Sequence, residues 1–311
     1  MSWVSGFGQY GRSLESGLGC GSYNPSPYWA SRPPVVIVSG DYNGDGKTDP
    51  AVWRISADYD GDGTKDGVWH IRNIATIDYG EPTDIPVPGD YNGDGTTDVA
   101  VWRTSTGDGI WHVRNIATID YGEPGDIPVP GDYDGDGTTD LAVWRTSTGD
   151  GMWHIRNIVT IDWGEPTDIP VPGDYSGGGA TDVAVWRVTA DYDGDTTKDG
   201  VWHIRNIATI DWGDPVDIPV PGDYNGGGTT DVAIWRTSTG DGIWHIRNIS
   251  TIDWGEPADV PVPGDYYANP ATDVAVWRTS TGDGIWHIRN MPGTIDWGEP
   301  VDIPLAGHDR R

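Results

Sequence analysis

Aspartates recur in this chain at spacings that suit a bound cation. From Asp90 to Asp98, oxygen-bearing side chains occupy positions 1, 3, 5 and 9, and Gly95 occupies position 6. Alternate residues of a tight turn point inward, so these oxygens are predicted to converge, and converging carboxylates are costly without a cation. Hard oxygen donors suit Ca²⁺, and position 7 would add a backbone carbonyl. The segment lacks the glutamate at position 12 and the flanking helices of an EF-hand, so that motif is excluded.

The spacing occurs in five loops, from which about five calcium sites are expected. The competing interpretation is that each loop is only an Asp-Gly turn whose side chains cap the backbone. In the loop that starts at Asp191, Thr196 stands at the glycine position. The predicted ligands, with the position-7 residue acting through its carbonyl, are Asp41, Asn43, Asp45, Lys47 and Asp49; Asp58, Asp60, Asp62, Thr64 and Asp66; Asp90, Asn92, Asp94, Thr96 and Asp98; Asp132, Asp134, Asp136, Thr138 and Asp140; and Asp191, Asp193, Asp195, Thr197 and Asp199.

Three further loops have lost part of the pattern. The loops that start at Asp174 and Asp223 have glycine where the middle carboxylate would stand, and the loop from Asp265 keeps little beyond its ends. Because fewer charged ligands remain, weak or no calcium binding is expected at the first two loops and none at the third.

The aspartate loops belong to an internal repeat. The segment 84–125 recurs with a spacing of 42 residues, or 49 where a seven-residue insertion occurs. This period is typical of propeller blades. The chain is therefore divided into an N-terminal Gly/Ser/Tyr-rich segment 1–34, six repeats (35–83, 84–125, 126–167, 168–216, 217–258 and 259–301) and a C-terminal segment 302–311.

Each repeat is predicted to contain four short antiparallel strands and no helix. In 84–125 these strands are the runs IPVPG, VAVWR, IWHVR and ATIDYG, which alternate or are rich in β-branched residues. The aspartate loops of the main set lie between the first and second strands. The two inserted loops, 58–66 and 191–199, lie between the second and third strands and are therefore expected on the opposite face. The fold class predicted is all-β, a β-propeller, with a β-solenoid as the weaker alternative.

The two chain ends bear on the number of blades. Residues 302–307 resemble the first strand of a seventh copy, and 34 residues, enough for the rest of one, precede Val35. We therefore expect seven four-stranded blades, the seventh completed by the N- and C-terminal segments; the alternative is six blades plus a tail. Pairing of 1–34 with the next molecule would instead exchange strands and build a filament.

Charge and composition exclude several partners. The net charge of −29 disfavours nucleic acid, which requires clustered Lys and Arg, and insertion into membranes is not expected. There is no signal peptide or apolar spanning run in this sequence, and Cys20 is the single cysteine, so no intramolecular disulfide can form.

A Trp-His-x-Arg row also recurs once per repeat. Its tryptophans are expected to fill the core between blades, with His and Arg bonded to backbone or Asp; the alternative is a shallow sugar pocket in each blade, and zinc binding would need the histidines to converge. No catalytic motif is found, and the repeated Glu of the Gly-Glu-Pro turn is expected to be a solvated turn residue, so no enzyme activity is expected. The rows are Trp69/His70/Arg72, Trp111/His112/Arg114, Trp153/His154/Arg156, Trp202/His203/Arg205, Trp244/His245/Arg247 and Trp286/His287/Arg289.

The loop and its surroundings resemble the FG-GAP/VCBS repeat family, which includes the integrin α-subunit propeller. The resemblance covers 35–307 and is carried by the Gly-Asp-Tyr-Asn-Gly-Asp-Gly-x-x-Asp runs followed by Ala-Val-Trp-Arg. It implies calcium-bound blades, usually seven, used for adhesion or as scaffolds. The function expected is that of an extracellular or cell-surface calcium-binding scaffold whose partners are copies of itself or surface proteins; the alternative is a multivalent glycan-binding propeller. Loops with dissociation constants on the order of 10⁻⁴ to 10⁻³ M fill outside the cytosol, which is the argument for this location.

Overall fold

The fold is all-β throughout the part of the chain that the structure, a computed structural model, describes: residues 40–55, 58, 59, 61–188, 191, 192, 194 and 196–305. No helix in these ranges has the length and hydropathy needed to cross a membrane. The strands are β1 Ala51–Ile55, β2 Gly67–Ile71, β3 Ala75–Asp78, β4 Ile85–Pro86, β5 Ala100–Arg103, β6 Ile110–Val113, β7 Ala117–Asp120, β8 Ile127–Pro128, β9 Ala142–Arg145, β10 Met152–Ile155, β11 Val159–Asp162, β12 Ile169–Pro170, β13 Ala184–Val188, β14 Gly200–Ile204, β15 Ala208–Asp211, β16 Ile218–Pro219, β17 Ala233–Arg236, β18 Ile243–Ile246, β19 Ser250–Asp253, β20 Val260–Pro261, β21 Ala275–Arg278, β22 Ile285–Ile288, β23 Ile295–Asp296 and β24 Ile303–Leu305.

These strands form six antiparallel sheets of four strands, the blades of a β-propeller. Blade 1 has the order β24-β1-β2-β3. Blades 2 to 6 are the consecutive sets β4–β7, β8–β11, β12–β15, β16–β19 and β20–β23. The first strand of each blade is short because it contains a proline, which has no backbone N–H to donate to the sheet.

Tryptophan and small β-branched residues build the core between blades. In blade 2, Trp102 pairs with Trp111 across β5 and β6, and both rings are at most 1% exposed. Their cluster includes Val143 of blade 3, so one face of each blade packs on its neighbour. A tight fit accompanies the packing: in blade 1 a Cβ added to Gly67 would lie 2.0 Å from the indole of Trp53. The core is therefore distributed among the six junctions between blades.

The ring closes with six blades, so the expectation of seven is corrected. The C-terminal strand β24 pairs with β1, in the register Ile303↔Trp53 and Pro304↔Val52. This is the register that Ile85 and Pro86 adopt with β5 in blade 2. The segment that sequence reasoning assigned to an additional blade instead supplies the first strand of blade 1. The predictions made for 1–34, for the run before Gly40 and for Ala306–Gly307 lie outside the described residues.

Hydrogen bonds between successive aspartate loops confirm this closure. The backbone N–H of Thr97 donates to the carbonyl of Asp41 in the preceding loop at 2.8 Å. Thr48 of the first loop donates in the same way to Asp265 of the last, at 2.6 Å. The other members are Thr139 to Asp90, Thr181 to Asp132, Thr230 to Asp174 and Thr272 to Asp223. Each loop thus contacts the next, and the sixth contacts the first.

The antiparallel order separates two faces of the propeller. The loop face carries the loops between first and second strands together with the turns between third and fourth strands. The opposite face carries the connections between second and third strands, including the inserted loops 58–66 and 191–199, as the sequence indicated. Because the insertions occur in blades 1 and 4 of six, they belong to blades on opposite sides of the ring.

Candidate metal centres

The aspartate loops of blades 2 to 6 are each closed at the base by two backbone hydrogen bonds. In blade 2, Asp98 N–H donates to the carbonyl of Gly89 at 2.7 Å, and Gly89 N–H donates back to Asp98 at 3.4 Å. The same bridge joins Gly131 to Asp140, Gly173 to Asp182, Gly222 to Asp231 and Gly264 to Asp273. The residue before position 1 and the residue at position 9 are therefore paired, and the loop between them is closed.

The aspartate at position 1 organises the turn. In blade 3, Asp132 Oδ1 accepts hydrogen bonds from the N–H groups of Gly135 and Asp136 at 2.7 and 3.1 Å. Its Oδ2 accepts from Gly137 N–H at 3.0 Å. Asp90 and Asp41 make the equivalent bonds in their own loops. This role needs no metal, so the presence of position 1 alone does not indicate a cation.

The incomplete loops adopt the same turn without the middle carboxylate. In blade 4, Asp174 accepts from Gly178 N–H at 3.0 Å and from Gly179 N–H at 2.7 Å. Asp223 does the same in blade 5 with Gly227 and Gly228. Carboxylates at positions 3 and 5 are thus not required for the turn. Their presence in the complete loops calls for another explanation.

In blade 3 those carboxylates converge. One carboxylate oxygen from each of Asp132, Asp134 and Asp136 lies within 4.8 Å of the other two, the one such group found among the described residues. Asp134 and Asp136 are exposed. Three hard anionic donors at this separation suit a divalent cation such as Ca²⁺, whose ligands lie about 2.3–2.6 Å from the ion.

Asp140, at the ninth position, is not one of the three converging carboxylates, but its pKa responds to their charge. Burial, then the charges of Asp134, Asp132 and Asp136, raise the pKa of the Asp140 carboxyl. The hydrogen bonds from Thr138 lower the pKa of Asp136. The charged form of the Asp140 carboxyl is thus disfavoured by the other carboxylates of its loop.

The loops 41–49 and 90–98 have Asn at position 3 and a partly different arrangement. Asn92 Nδ2 donates to Asp98 Oδ1 at 3.3 Å, and Asn92 Oδ1 accepts from Asp94 N–H at 2.8 Å. Asn43 likewise donates to both oxygens of Asp49, at 3.0 and 3.1 Å. Burial, followed by the charges of Asp41 and Asp45, raises the pKa of Asp49 to about 6. In neither of these loops do three carboxylates come as close together as in blade 3.

The inserted loops on the opposite face repeat the cap at position 1. Asp58 accepts from Gly61 and Gly63 at 2.6 and 2.9 Å, and Asp191 accepts from Gly194 and Thr196 at 2.6 and 2.9 Å. The position-9 groups, Asp66 and Asp199, are buried, and each accepts a hydrogen bond from the tyrosine N–H at position 2. The predicted ligands Asp60, Asp193 and Asp195 lie outside the described residues.

The loop of blade 6 has changed most. Tyr267 stands at position 3, packs against the blade core, and donates its hydroxyl to the carbonyl of Arg289 at 3.1 Å. Asp265 still caps the turn through Asn269 N–H. An aromatic ring thus stands at the position where Asn92 and Asp134 offer oxygen donors.

Sequence reasoning missed a second set of aspartates, which form buried ion pairs. In blade 3, Arg145 binds both oxygens of Asp126, at 2.8 and 2.7 Å, and also contacts Glu123 at 2.9 Å. The repeated Glu is therefore a partner of this arginine as well as a partly exposed turn residue. The signal was present in the sequence, because an Asp precedes each such Arg by 19 residues in blades 2 to 6. The pairs are Arg54–Asp302, Arg103–Asp84, Arg145–Asp126, Arg187–Asp168, Arg236–Asp217 and Arg278–Asp259.

The Trp-His-x-Arg rows separate into core and surface. The tryptophans are 0% exposed, which confirms the core assignment. The histidines are partly buried; His154 Nδ1 lies 3.4 Å from the hydroxyl of Thr160. The arginines of the row make no side-chain hydrogen bond or ion pair to any described residue, contrary to the expectation that they bond to backbone or Asp.

Fold and loops together define the class: this is a six-bladed β-propeller with aspartate-rich loops between the first and second strands of its blades. Comparisons with protein-family models, with curated proteins and with solved structures gave no match.

Proposed function

We propose that this chain is a calcium-binding propeller that acts outside the cytosol as a structural or adhesive scaffold, without enzymatic activity. One observation carries the proposal: exposed carboxylates at positions 3 and 5 of blade 3 converge on Asp132, although the loops of blades 4 and 5 form the same turn without such a pair. A cation explains these carboxylates, and the Asp-Gly turn by itself does not.

The bound ion would stabilise the ring at its loop face. Asp132 would hold the metal through its side chain while its carbonyl accepts the Thr181 N–H of blade 4. Ordering one loop therefore also orders a link between blades. A ligand that binds only the folded state adds RT ln(1 + [L]/Kd) per site to stability. The spacing of the loops supports the proposed relationship to FG-GAP/VCBS repeats.

Location follows from the affinity expected for such loops. Extracellular calcium modules bind with dissociation constants on the order of 10⁻⁴ to 10⁻³ M, so the loops would fill in calcium-rich fluid outside the cell. Filling about five sites would bring the net charge from −29 to about −19. The metal would thus reduce self-repulsion among the acidic loops.

Calcium binding to matched variants tests the proposal. Asp134→Ser with Asp136→Gly gives blade 3 the residues that blade 4 has at Ser176 and Gly178, which that blade tolerates. We expect one calcium fewer per chain by equilibrium dialysis, a lower melting temperature in calcium, and an equal or higher one in EDTA, where the variant lacks two repelling carboxylates. The charge-matched control is Asp108→Asn with Asp150→Asn, two exposed hairpin residues. Equal calcium content in the wild type and the loop variant, or a wild-type melt indifferent to EDTA, would remove the proposal.

The scaffold role has its own test. Electron microscopy of the full chain in calcium distinguishes single rings from filaments, and deletion of residues 1–34 shows whether that segment carries assembly. Rings that stay separate and bind no cell surface in calcium would argue against both structural and adhesive roles.

A further inference from the structure

Six arginines on the loop face have no side-chain hydrogen bond or ion pair within the described part of the chain, while six others in the same repeats are paired. The arginine at the end of each second strand binds a buried Asp, as Arg145 does with Asp126. By contrast, the arginine that follows each third strand forms no side-chain hydrogen bond or ion pair with any residue in the described ranges. These free arginines are Arg72, Arg114, Arg156, Arg205, Arg247 and Arg289. In a chain of net charge −29, an unpaired ring of cations is a feature that the fold does not explain.

Each free arginine is followed by an Asn that the turn conformation requires and by an aliphatic residue, in five repeats an exposed Ile, that the turn does not require. Asn115 has φ of +60°, a left-handed conformation that asparagine tolerates better than most residues. The next residue, Ile116, is 43% exposed, and its equivalents Ile74, Ile158, Ile207 and Ile249 are 38–45% exposed. Isolated exposed aliphatic residues are ordinary, but one beside each of five free arginines marks a repeated surface.

These residues line the same groove at two junctions. Between blades 1 and 2 a groove of about 340 Å³ is bordered by Ile74 and Ile77 on one side and by Arg114, Asn115 and Ile116 on the other. Between blades 3 and 4 a groove of about 260 Å³ has the equivalent walls, with Ile158, Ile161, Arg205, Asn206 and Ile207. The aspartate loop of the second blade forms the floor at each junction, through Asp98 and Asp182. Equivalent residues thus line the groove at two of the six junctions.

We propose that these grooves bind acidic peptide segments. The guanidinium of the free arginine would pair with a side-chain carboxylate, and the two flanking isoleucines would contact a neighbouring aliphatic side chain. Arginine is suited to carboxylates because its planar donors make two parallel hydrogen bonds. Exposed isoleucines favour a peptide over an acidic sugar, because sugars bind on aromatic faces and the one tyrosine that lines each groove, Tyr42 or Tyr133, is only partly exposed.

The carboxylate at the floor does not oppose this assignment. Asp98 Oδ2 already accepts from Tyr91 N–H at 2.9 Å, and its Oδ1 accepts from Asn92 at 3.3 Å. Asp182 accepts from Ser176 N–H at 2.8 Å in the second groove. These oxygens are held within their own loops, whereas the arginine has no such partner.

Comparison of the copies points the same way. The middle carboxylate of the aspartate loop has been replaced in blades 4, 5 and 6, yet the free arginine and its asparagine are present in every repeat. Up to six weak sites arranged on one face would gain avidity for a partner that carries several acidic segments. The site adjoins the aspartate loops, because Asp98 and Asp182, at position 9 of two of these loops, line its grooves.

A pair of synthetic peptides tests the proposal on the full chain. The probe is a fluorescent, end-blocked Gly-Leu-Asp-Leu-Gly, and its control has Asn in place of Asp. We expect binding of the Asp peptide at several sites per chain and at least tenfold weaker binding of the Asn peptide, the loss of one charge-assisted pair. Equal binding of both peptides, or no binding of either, overturns the proposal. Calcium uptake is measured separately in the same samples, so that a failure to bind calcium can be distinguished from a failure to bind the peptide.

Matched variants place the site. Arg114→Gln with Arg205→Gln should remove two peptide sites, while Lys65→Gln with Lys198→Gln, the same charge change on the opposite face, should remove none. Arginine Nε–H NMR signals provide a test without a variant. Adding the peptide should shift the signals of the free arginines and leave those of the paired arginines unchanged. Shifts confined to the paired class, or equal loss in both variants, contradict the assignment. If an oligogalacturonate binds through Arg114 and neither peptide binds, the ligand class is an acidic glycan and the peptide assignment is wrong.

Discussion

Arg54 in β1 binds both carboxylate oxygens of Asp302, 248 residues away, at 2.7 Å each. The same arginine contacts Glu299 at 2.9 Å. In every other blade the equivalent pair joins two strands of one repeat, but here it joins the two ends of the ring. Val35 stands where the other repeats have this aspartate, so Asp302 supplies the acid that the first repeat lacks.

Loss of the closing ion pair should destabilise the ring. Asp302 is 0% exposed in its side chain, and Asp302→Asn leaves Arg54 with the partly exposed Glu299 as its charged partner. We expect the free energy of unfolding to fall by about 3 kcal/mol in urea titrations. The control, Asp126→Asn, breaks an equally buried pair inside blade 3. Only Asp302→Asn should make the C-terminal strand a target for limited proteolysis; equal cleavage of both variants would contradict a closing role.

Thr196 stores backbone strain in the inserted loop of blade 4. Its φ is +80°, whereas Gly63 occupies the equivalent position of blade 1 at +92°. A β-branched residue in this region is strained by roughly 1–2 kcal/mol. Thr196→Gly should therefore raise the free energy of unfolding by about 1 kcal/mol in EDTA. Gly63→Thr should lower it by a similar amount, and no change in either variant would show that the loops relax freely.

The incomplete loop of blade 4 should accept a restored metal site. Ser176→Asp with Gly178→Asp reproduces the pattern of 132–140, and a Cβ at Gly178 meets only the Ser176 hydroxyl oxygen at 3.3 Å. We expect one additional calcium per chain by isothermal titration and a higher melting temperature in calcium only. Adding Asp182→Asn should abolish the gain. If the variant with all three substitutions still gains calcium, position 9 is not a ligand.

The row histidines should make stability fall in acid. Burial first, and the adjacent Arg54 or its equivalent second, lower the pKa of the six row histidines below 6.5. The unfolded chain then binds more protons than the native state, so this stabilisation is complete above 6.5 and is lost as the pH falls through the folded-state pKa.

NMR titration of the histidine ring protons checks this. We expect six midpoints below 6.5, with His70 and His203 lowest, because their Nε2 atoms are buried without a partner in the described ranges. Midpoints at or above 6.5 would refute the prediction. Asp49 and Asp273, whose pKa values rise to about 6, act in the opposite direction and are separated by this site-specific readout.

Local features were predictable because they repeat. Alternating β-branched runs, proline-containing first strands and Gly-Asp-Gly hairpins each predict structure within a few residues, and six copies remove most ambiguity. The aspartate loops and the core role of Trp111 and its equivalents were also evident. Long-range pairs were harder to predict, because the 19-residue separation of Asp84 and Arg103 carries no local propensity.

The sequence by itself determined the unit: a four-stranded blade, its aspartate loop and its position in a repeat, since all three depend on contacts within about 42 residues. The tertiary structure decided the number of blades, because closure depends on the angle at which Trp-filled faces pack and on which strand β1 accepts. It also decided which arginines are paired and which line grooves. Those outcomes depend on neighbouring blades, and the sequence of one blade does not specify its neighbour's geometry.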